Sequence, residues 1–414
     1  MLLEFSCSNH KSVRDTVLFS ALAGTDTTRI EETEQFGNFR VLKSAVIYGA
    51  NGSGKSNFID AFSFVKELIL NSINYQPGQG IRQLPFKMAG YETPSTYKIQ
   101  FVQEGVRYAY QFSLKQMLVS EEYLYFFPNG KQTKVFDRHG DSFSAGRSFR
   151  GKFDNCRDVL KPNRLLLSCA ANFSSVHEVD AVFRFFRDDI VIYSDGLQDN
   201  WLNYSLHKIE SDAGMKTAII TLFKELGMGV KDIEINIDQS KPQPSDIPSF
   251  LAPDFRDRLL QTTIDKINAR VLYDRFETDL LSEESDGVRK LFAFLCPLID
   301  IMANGKVLIC DELESGLHEA LVYGILKMFM EIGSDKFPQL FFTTHDTGLL
   351  NLDLFRRDQI WFTELKEDRS TDLYSLAEIK NVRKDENFGK GYISGKYGAI
   401  PMLNLDFAKV LSQM

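Results

Sequence analysis

The chain has 414 residues, of which 43% are hydrophobic and 25% are charged, and it carries a net charge of −8. This composition is typical of a globular protein with a large core and two or three structural units. The acidic balance argues against a surface that is basic throughout, and the longest nearly apolar stretch, 291–303, is too short to span a bilayer. Because Glu4 falls where a signal peptide needs an apolar run, we expect a cytoplasmic protein without a membrane segment.

Strand patterns open the chain and are followed by an aromatic-rich region. Residues 2–6, 16–20 and 42–48 are predicted strands, and the polar segment 24–35 is a predicted loop. Between 96 and 136, alternating segments rich in Tyr and Phe are interrupted by Glu104-Gly105 and by Pro128-Asn129-Gly130. Such turn sequences are hairpin signals, so this region predicts an antiparallel β lobe.

Helical spacing replaces the alternation from 172 to 227, with one strand predicted at 190–193. The segment 241–253 contains four prolines and is predicted to be an exposed connector. Short apolar strands at 307–311, 339–344 and 359–362 then alternate with helical segments, which is the pattern of a parallel sheet. The sequence therefore predicts an α/β protein with an added β lobe and a helical lobe.

The most specific motif follows the strand at 42–48 and precedes an apolar-periodic helix. It fits the pattern G-x-x-x-x-G-K-S, in which glycines let backbone N–H groups surround phosphate oxygens at a helix start. Lys55 is predicted to reach the β- and γ-phosphates of ATP, and the Ser56 hydroxyl is predicted to bind Mg²⁺. The predicted nucleotide-binding residues of this segment are Gly49, Ala50, Asn51, Gly52, Ser53, Gly54, Lys55, Ser56 and Asn57.

Two later strands end in residues suited to catalysis. Asp311 and Glu312 follow the strand at 307–310. Asp311 is predicted to hold Mg²⁺, and Glu312 is predicted to polarise the attacking water. His345 follows the strand at 339–344 and is predicted to hydrogen-bond the γ-phosphate. A lone histidine is more often structural, but its position after the other motifs favours the catalytic role.

Ser285 and Gly287 stand at the start of an apolar helix. A hydroxyl residue and a glycine there suit either an ordinary helix cap or a second anion-binding surface. With the three motifs above, they resemble the ABC-type ATPases, and more closely the SMC/Rad50/RecF-like heads of chromosome-maintenance and recombination-repair proteins. In that resemblance 49–56 is the Walker A motif, 311–312 ends Walker B, 285–287 is the signature, 314–318 is the D-loop and His345 is the H-switch.

The resemblance extends to the opening Asn9-His10-Lys11-Ser12, and it implies that Lys11 and Ser12 lie near the nucleotide. Asn172 is the predicted substitute for the Q-loop glutamine. Asp286 takes the place of a signature glycine and should point away from the γ-phosphate. The resemblance implies a P-loop NTPase fold of the ABC-ATPase head type, with a mixed sheet core and an antiparallel β lobe. It also implies a homodimer that buries two ATP molecules, with assembly beyond a dimer left open.

Three segments are predicted to make up this fold. The N-terminal half of the head with its β lobe spans 1–165, a helical insertion lobe spans 166–264, and the C-terminal half of the head spans 265–414. Within the superfamily, the motifs at 285–289, 311–318 and 395–401 most resemble the AAA15-type ATPases of the abortive-infection AbiLi/RloA-like group. That group implies anti-phage defence, with a separately encoded nuclease or toxin as the effector.

Several alternatives remain open at this point. A transporter subunit is disfavoured, since the signature follows Walker A at an unusually long distance and no membrane segment is present. A nuclease fused to the head is disfavoured because no Asp-x-Asp strand end follows His345. An ATP-bound scaffold that hydrolyses ATP slowly or not at all and sequesters a toxin remains an alternative, as does a repair-type ATPase that binds DNA.

A basic segment at 131–164 is the candidate nucleic-acid contact. It holds nine basic residues against four acidic ones, with Phe136, Phe143, Phe149 and Phe153 interleaved. Cations and aromatic rings in this arrangement suit a phosphate backbone and stacked bases, while a solvated hairpin and loop is the plainer explanation.

Overall fold

The computed structural model describes residues 1–243, 256, 258, 260–331, 336–350, 354–382 and 386–400. The described residues fall into two compact units. The first lies within Met1–Ser194, Ile301–Ser315 and Val322–Met414, and the second lies within Asp195–Asp300 and Gly316–Leu321. From residue 244 onward, the predicted connector at 241–253 is outside the described residues.

The strands of the described residues are, in chain order, β1 (Leu2–Ser8), β2 (Val17–Ser20), β3 (Thr33–Phe36), β4 (Phe39–Leu42), β5 (Ser44–Gly49), β6 (Ser95–Gln103), β7 (Val106–Lys115), β8 (Leu118–Phe127), β9 (Thr133–His139), β10 (Ser142–Ala145), β11 (Ile190–Tyr193), β12 (Asp232–Ser240), β13 (Ile264–Leu272), β14 (Glu277–Asp279), β15 (Val307–Cys310), β16 (Gln339–Thr343), β17 (Ile360–Leu365) and β18 (Thr371–Ser375). The main helices are α1 (Lys55–Asn71), α2 (Leu166–Phe173), α3 (His177–Arg184), α4 (Gln198–Ser211), α5 (Ala213–Glu225), α6 (Asp286–Asn304), α7 (Glu319–Glu331) and α8 (Phe388–Ile393).

Two large sheets form the first unit. One is antiparallel and has the order β10-β9-β8-β7-β6-β1-β2. The other has the order β11-β15-β16-β5-β17-β18 and is parallel except for its last pair. Because β15, β16 and β5 are parallel neighbours, their carboxyl ends meet at one edge of this sheet.

A single hydrophobic core joins these sheets to α1. Phe62 on α1 stacks on Phe5 of β1 with ring centroids 3.7 Å apart. Phe19 of β2 contacts Phe341 of β16 at 5.0 Å. The apolar residues whose periodicity predicted α1 form the face that packs on this core. That packing fixes the position of the helix that follows the glycine-rich loop.

The second unit combines helices with a small sheet. β12 pairs antiparallel with β13 along its whole length, and β13 pairs with β14. Trp201 of α4 stacks on Phe294 of α6 at 5.6 Å, and Phe223 of α5 contacts Phe292 at 4.7 Å. These aromatic contacts give the unit its own core.

The boundaries of this unit differ from those of the predicted helical lobe at 166–264. α2 belongs to the first unit because the backbone N–H groups of Leu166 and Leu167 donate to the buried carboxylate of Glu122. The sheet β12-β13-β14 was not predicted, although Ile233 and its alternating neighbours carry a strand signal. β3 begins inside the predicted loop at 24–35. It was missed because it pairs with β4 in a two-stranded ribbon and its polar sequence lacks the apolar alternation that predicts a strand.

Candidate functional site

β5 leads into the glycine-rich loop, and α1 begins at Lys55 directly after the loop. Gly54 has a φ of +106°, a conformation that residues with side chains rarely adopt. A Cβ at Gly54 would lie 2.0 Å from Thr371 Oγ1, and a Cβ at Gly49 would lie 2.3 Å from Thr363 Oγ1. Only glycine fits at these two positions, so the loop backbone packs directly on β17 and β18.

Thr363 and Thr371 were not singled out from the sequence, yet they fix the shape of the loop. Thr363 Oγ1 lies 2.6 Å from Ser53 Oγ, and Thr371 Oγ1 donates to the Ser53 carbonyl over 2.9 Å. Threonine is common in strands, so no local pattern distinguishes these two from other strand residues. Their role arises from the pairing of β17 with β5.

Lys55 is buried at the start of α1. Its Nζ donates to the carbonyls of Gly49 over 2.7 Å and of Ala50 over 3.2 Å. Burial lowers the pKa of Lys55 to about 8, although nearby carboxylates, chiefly that of Glu312, oppose the shift. The lysine is therefore a desolvated cation held by neutral carbonyls, and an incoming phosphate would stabilise its charge.

Thr343, at the end of β16, positions the acidic residues that follow β15. Its Oγ1 donates to Asp311 Oδ1 over 2.6 Å and accepts from the backbone N–H of Glu312 over 2.8 Å. Glu312 has a φ of +49°, a left-handed conformation that costs energy for a residue with a side chain. The buried threonine thus holds Glu312 in a strained conformation at the edge of the sheet.

His345 lies beside Glu312. Its Nε2 is 3.6 Å from Glu312 Oε1, and the two side chains are 37% and 41% exposed, so both can reach a ligand. The backbone N–H of His345 donates to Glu314 Oε1 over 2.5 Å. Glu314 therefore positions His345, a role that its place in the Asp-Glu-x-Glu sequence did not reveal.

These groups surround one cavity of about 320 Å³. Its lining comes from segments far apart in the sequence: Asn51, Gly52, Gly54, Lys55, Ser56, Asn57, Glu312 and His345. The glycine-rich loop, the residue predicted to polarise water and the residue predicted to contact the γ-phosphate are thus brought together. The arrangement suits a polyanion held at a helix start, opposite a carboxylate and an imidazole.

Ser12 also lies against the loop. Its Oγ accepts from Asn57 Nδ2 over 2.8 Å and lies 2.7 Å from Thr371 Oγ1. The ammonium of Lys11 is 2.8 Å from Asp60 Oδ1, one turn further along α1 than Ser56. Neither Lys11 nor Ser12 lines the cavity, and Ser12 supports the loop from behind.

The remaining predicted residues lie elsewhere. Ser285 and Gly287 are in the second unit, where Ser285 Oγ accepts from the N–H of Val288 over 3.4 Å. Asp286 pairs with Arg289 on the same helix, and its side chain is 90% exposed. Asn172 does not line the cavity, and its amide donates to the carbonyl of Ser168 within α2 over 2.8 Å. The proposed Q-loop role of Asn172 therefore receives no support from its contacts.

Of the two predicted Mg²⁺ ligands, Ser56 lines the cavity, whereas Asp311 is not among the lining residues and directly precedes Glu312, which is. Their hydroxyl and carboxylate are the kinds of oxygen that Mg²⁺ prefers. Among the residues that the structure describes, no group of three or more His, Cys, Asp or Glu side chains is arranged to hold a metal ion. Mg²⁺ commonly uses one or two carboxylates and completes its shell with water and substrate phosphates. The donor set fits a metal that arrives with a nucleotide.

Part of the basic segment 131–164 is buried, so it does not form the continuous surface of cations and aromatic rings that its sequence suggests. Phe136 and Arg138 are fully buried, and Phe153 is 5% exposed. The prediction that these three side chains contribute to a nucleic-acid contact is wrong, because they belong to the core of the antiparallel lobe. Arg147 and Arg150 are exposed.

The glycine-rich loop after β5, the acidic end of β15 and the antiparallel lobe define a P-loop NTPase with the architecture of an ABC-ATPase head. This confirms the predicted fold class. The chain belongs to the family described as "AAA domain, putative AbiEii toxin, Type IV TA system", whose model matches residues 44–156 and 229–351. No helix in the described part of the chain is long and apolar enough to cross a membrane.

Solved structures of SMC heads are similar to this chain. An SMC head bound to the C-winged helix domain of ScpA is 14% identical with a TM-score of 0.46, covering 90% of this chain and 97% of that one. The SMC head domain from Thermotoga maritima is 15% identical with a TM-score of 0.42, covering 90% and 98%. The Smc head with an extended coiled coil bound to the C-terminal domain of ScpA, from Pyrococcus furiosus, is 12% identical with a TM-score of 0.39, covering 95% and 98%. No curated protein matches the sequence.

Proposed function

We propose that this protein binds ATP with Mg²⁺ and hydrolyses the γ-phosphate. The observation that carries the proposal is the single cavity that Lys55, Glu312 and His345 line together. A cation at a helix start, a carboxylate and an imidazole are the groups that phosphoryl transfer to water requires. Three separate segments supply them, which argues against a chance glycine-rich turn.

In this mechanism the loop backbone and Lys55 bind the β- and γ-phosphates. Ser56 and Asp311 hold Mg²⁺, which when bound neutralises charge on the phosphate oxygens. Glu312 accepts a proton from the attacking water, and its backbone is fixed for that task by Thr343. His345 hydrogen-bonds the γ-phosphate, with its main chain fixed by Glu314.

The proposal includes a second copy of the chain. Ser285 and Gly287 of one copy would cap the γ-phosphate bound by the other, so that two ATP molecules lie in one isologous interface. The ion pair between Asp286 and Arg289 supports this arrangement, because the arginine neutralises a carboxylate that would otherwise repel the γ-phosphate. Hydrolysis would then loosen the dimer and act as a switch.

For the biological role we propose anti-phage defence in the cytoplasm, as an abortive-infection ATPase of the AAA15, AbiLi/RloA-like type. The description of the matched family, which names a putative AbiEii toxin and a type IV toxin–antitoxin system, supports this setting. The switch would gate a separately encoded effector. Co-purification of the chain with the products of neighbouring reading frames, with and without ATP, tests that step.

Glu312→Gln is the direct test of the proposed chemistry. We expect turnover to fall by about 10²- to 10⁴-fold while ATP binding is kept, because the amide cannot accept the proton. The variant should accumulate as an ATP-bound dimer in light scattering. Glu367→Gln, which changes an exposed carboxylate between β17 and β18, is the matched control and should turn over like the parent. If the parent protein hydrolyses ATP and Glu312→Gln does so at the same rate, Glu312 is not the base.

Lys55→Ala separates binding from chemistry. Because Lys55 is the buried cation of the loop, we expect this variant to lose ATP binding in calorimetry while remaining folded. Unchanged ATP affinity would contradict the proposed site. A parent protein that binds ATP tightly but releases phosphate no faster than a reaction without protein would favour the scaffold function instead.

A further inference from the structure

A second cavity, of about 520 Å³, lies in the first unit where three turns meet. The turns join β3 to β4, β6 to β7 and β8 to β9. The cavity shares no lining residue with the cavity at the glycine-rich loop. Its lining consists of Phe36, Gly37, Asn38, Phe39, Gly105, Arg107, Phe127, Asn129 and Gly130.

Arg107 is the only charged residue of this lining. It stands directly opposite Phe127 in the pairing of β7 with β8, and its guanidinium carbon lies 3.7 Å from the centroid of the Phe127 ring. Within the described ranges its guanidinium makes no hydrogen bond or ion pair, and its Nε is buried without an acceptor. Stacking uses the face of a guanidinium and leaves its in-plane N–H groups for an anion.

The turn between β3 and β4 adds aromatic surface to the lining. Phe36 and Phe39 pack on the core with ring centroids 5.5 Å apart and stay partly exposed. Asn38 and Asn129 are exposed in the neighbouring turns, and their amides carry both donors and acceptors. Lys131, also exposed, follows Gly130 directly. Aromatic faces, amides and an arginine without an acceptor therefore converge on one space.

We propose that this cavity binds a nucleobase with its attached phosphate. The base lies against Phe36 and Phe39, the amides contact its edge, and Arg107 binds the phosphate. Stacking on phenylalanine tolerates any base, so the site would be largely independent of sequence. The shared chemistry is that of a nucleotide unit, whether it belongs to a single-stranded nucleic acid or is free in solution. The site is separate from the proposed ATPase chemistry.

The test measures binding in the Lys55→Ala background, so that the glycine-rich loop takes up no nucleotide. The probes are fluorescein-labelled oligo(dT) and oligo(rU) of about twelve nucleotides, read by anisotropy, and unlabelled UMP as competitor. We expect saturable binding that weakens at least about tenfold in Arg107→Gln and in Phe127→Ala. Arg147→Gln, an exposed arginine of the basic segment, is the matched control and should change affinity by less than about threefold.

The outcomes separate the two sources of the ligand. Displacement of oligonucleotide by UMP at similar concentrations identifies a free-nucleotide site, and binding of oligonucleotide alone identifies a single-strand site. Thermal unfolding checks that Phe127→Ala is folded, and Arg107→Lys, which keeps the charge but loses the planar stack, should bind with intermediate affinity. Absence of binding for every probe at millimolar concentration overturns the proposal. A loss in Arg147→Gln together with normal binding in Arg107→Gln also overturns it.

Discussion

In the antiparallel lobe, Glu122 and Arg138 face each other across β8 and β9 with no solvent exposure. Glu122 accepts hydrogen bonds from Tyr110 and from the backbone of α2, and Arg138 donates to the carbonyl of Gly140. At the parallel sheet, by contrast, the hydrogen bonds of Lys55 within the described residues go to the carbonyls of Gly49 and Ala50. One oxygen of Glu314 is buried there without a partner in the described part of the chain.

We infer from this difference that the Glu122–Arg138 pair has a structural role and that the charge of Lys55 serves to bind an anion. A buried ion pair that satisfies all its hydrogen bonds fixes the position of the elements it joins, here β8, β9 and α2. A buried cation that donates its hydrogen bonds only to neutral carbonyls is costly in the free protein even with carboxylates nearby, and its energy improves when an anion binds. The same contrast applies to Arg107, whose guanidinium stacks on Phe127 but has no acceptor among the described residues.

Glu122→Ala should give the largest effect on folding. Removing this carboxylate leaves Arg138 buried and uncompensated and removes the acceptor of two N–H groups of α2. We expect the free energy of unfolding to fall by about 3–5 kcal/mol in denaturant titrations. Glu121→Ala, which changes the neighbouring half-exposed carboxylate, should change it by less than about 1 kcal/mol. Similar losses for the two variants would show that the buried pair is not the structural charge we infer.

Gly54→Ala tests how tightly the loop packs on β18. Alanine at this position would be strained by the positive φ, and its methyl group would overlap Thr371 Oγ1. We expect the free energy of unfolding to fall by about 2–5 kcal/mol. Gly52→Ala meets no protein atom within 4 Å and should cost only the backbone strain, about 1–2 kcal/mol. Both changes in the free energy of unfolding are to be measured by denaturant titration without nucleotide. If the two substitutions cost the same, the contact with Thr371 does not shape the loop.

A pH titration of ATP affinity tests the charge on Lys55 and should give the smallest effect. The pKa of Lys55 in the free protein is about 8, and a bound phosphate would raise it. Binding therefore takes up a proton above pH 8, so affinity should fall by at most tenfold per pH unit as the pH rises from about 8. Calorimetry in buffers of different ionisation enthalpy measures that proton. Lys55→Arg should remove the slope, because arginine stays charged; a slope that persists in this variant would assign the proton to another group.

Much of this molecule was predictable from local pattern. Alternating apolar and polar residues, interrupted by the turn sequences Glu104-Gly105 and Pro128-Asn129-Gly130, predicted the hairpins of the antiparallel lobe. Short apolar runs predicted β5, β15, β16 and β17. Glu312 and His345 could be singled out because strands that end in polar residues meet at one edge of a parallel sheet. β12 was missed within the predicted helical lobe, and β13 was missed at the start of the predicted C-terminal half of the head. The placement of Ser285 relative to a nucleotide stays a prediction.

The sequence by itself determined the glycine-rich loop, the candidate residues Glu312 and His345 and the α/β class, because the order and spacing of residues within each short segment carry its own motif or strand pattern. Only the tertiary structure decided that Thr343, Thr363, Thr371 and Glu314 hold the site in shape, and that Phe136 and Arg138 are core rather than surface. Those roles depend on which strands lie side by side. Strand pairing joins residues that are separated in the sequence, in the case of Thr363 and Thr371 by hundreds of positions, through contacts that leave no local trace in the sequence.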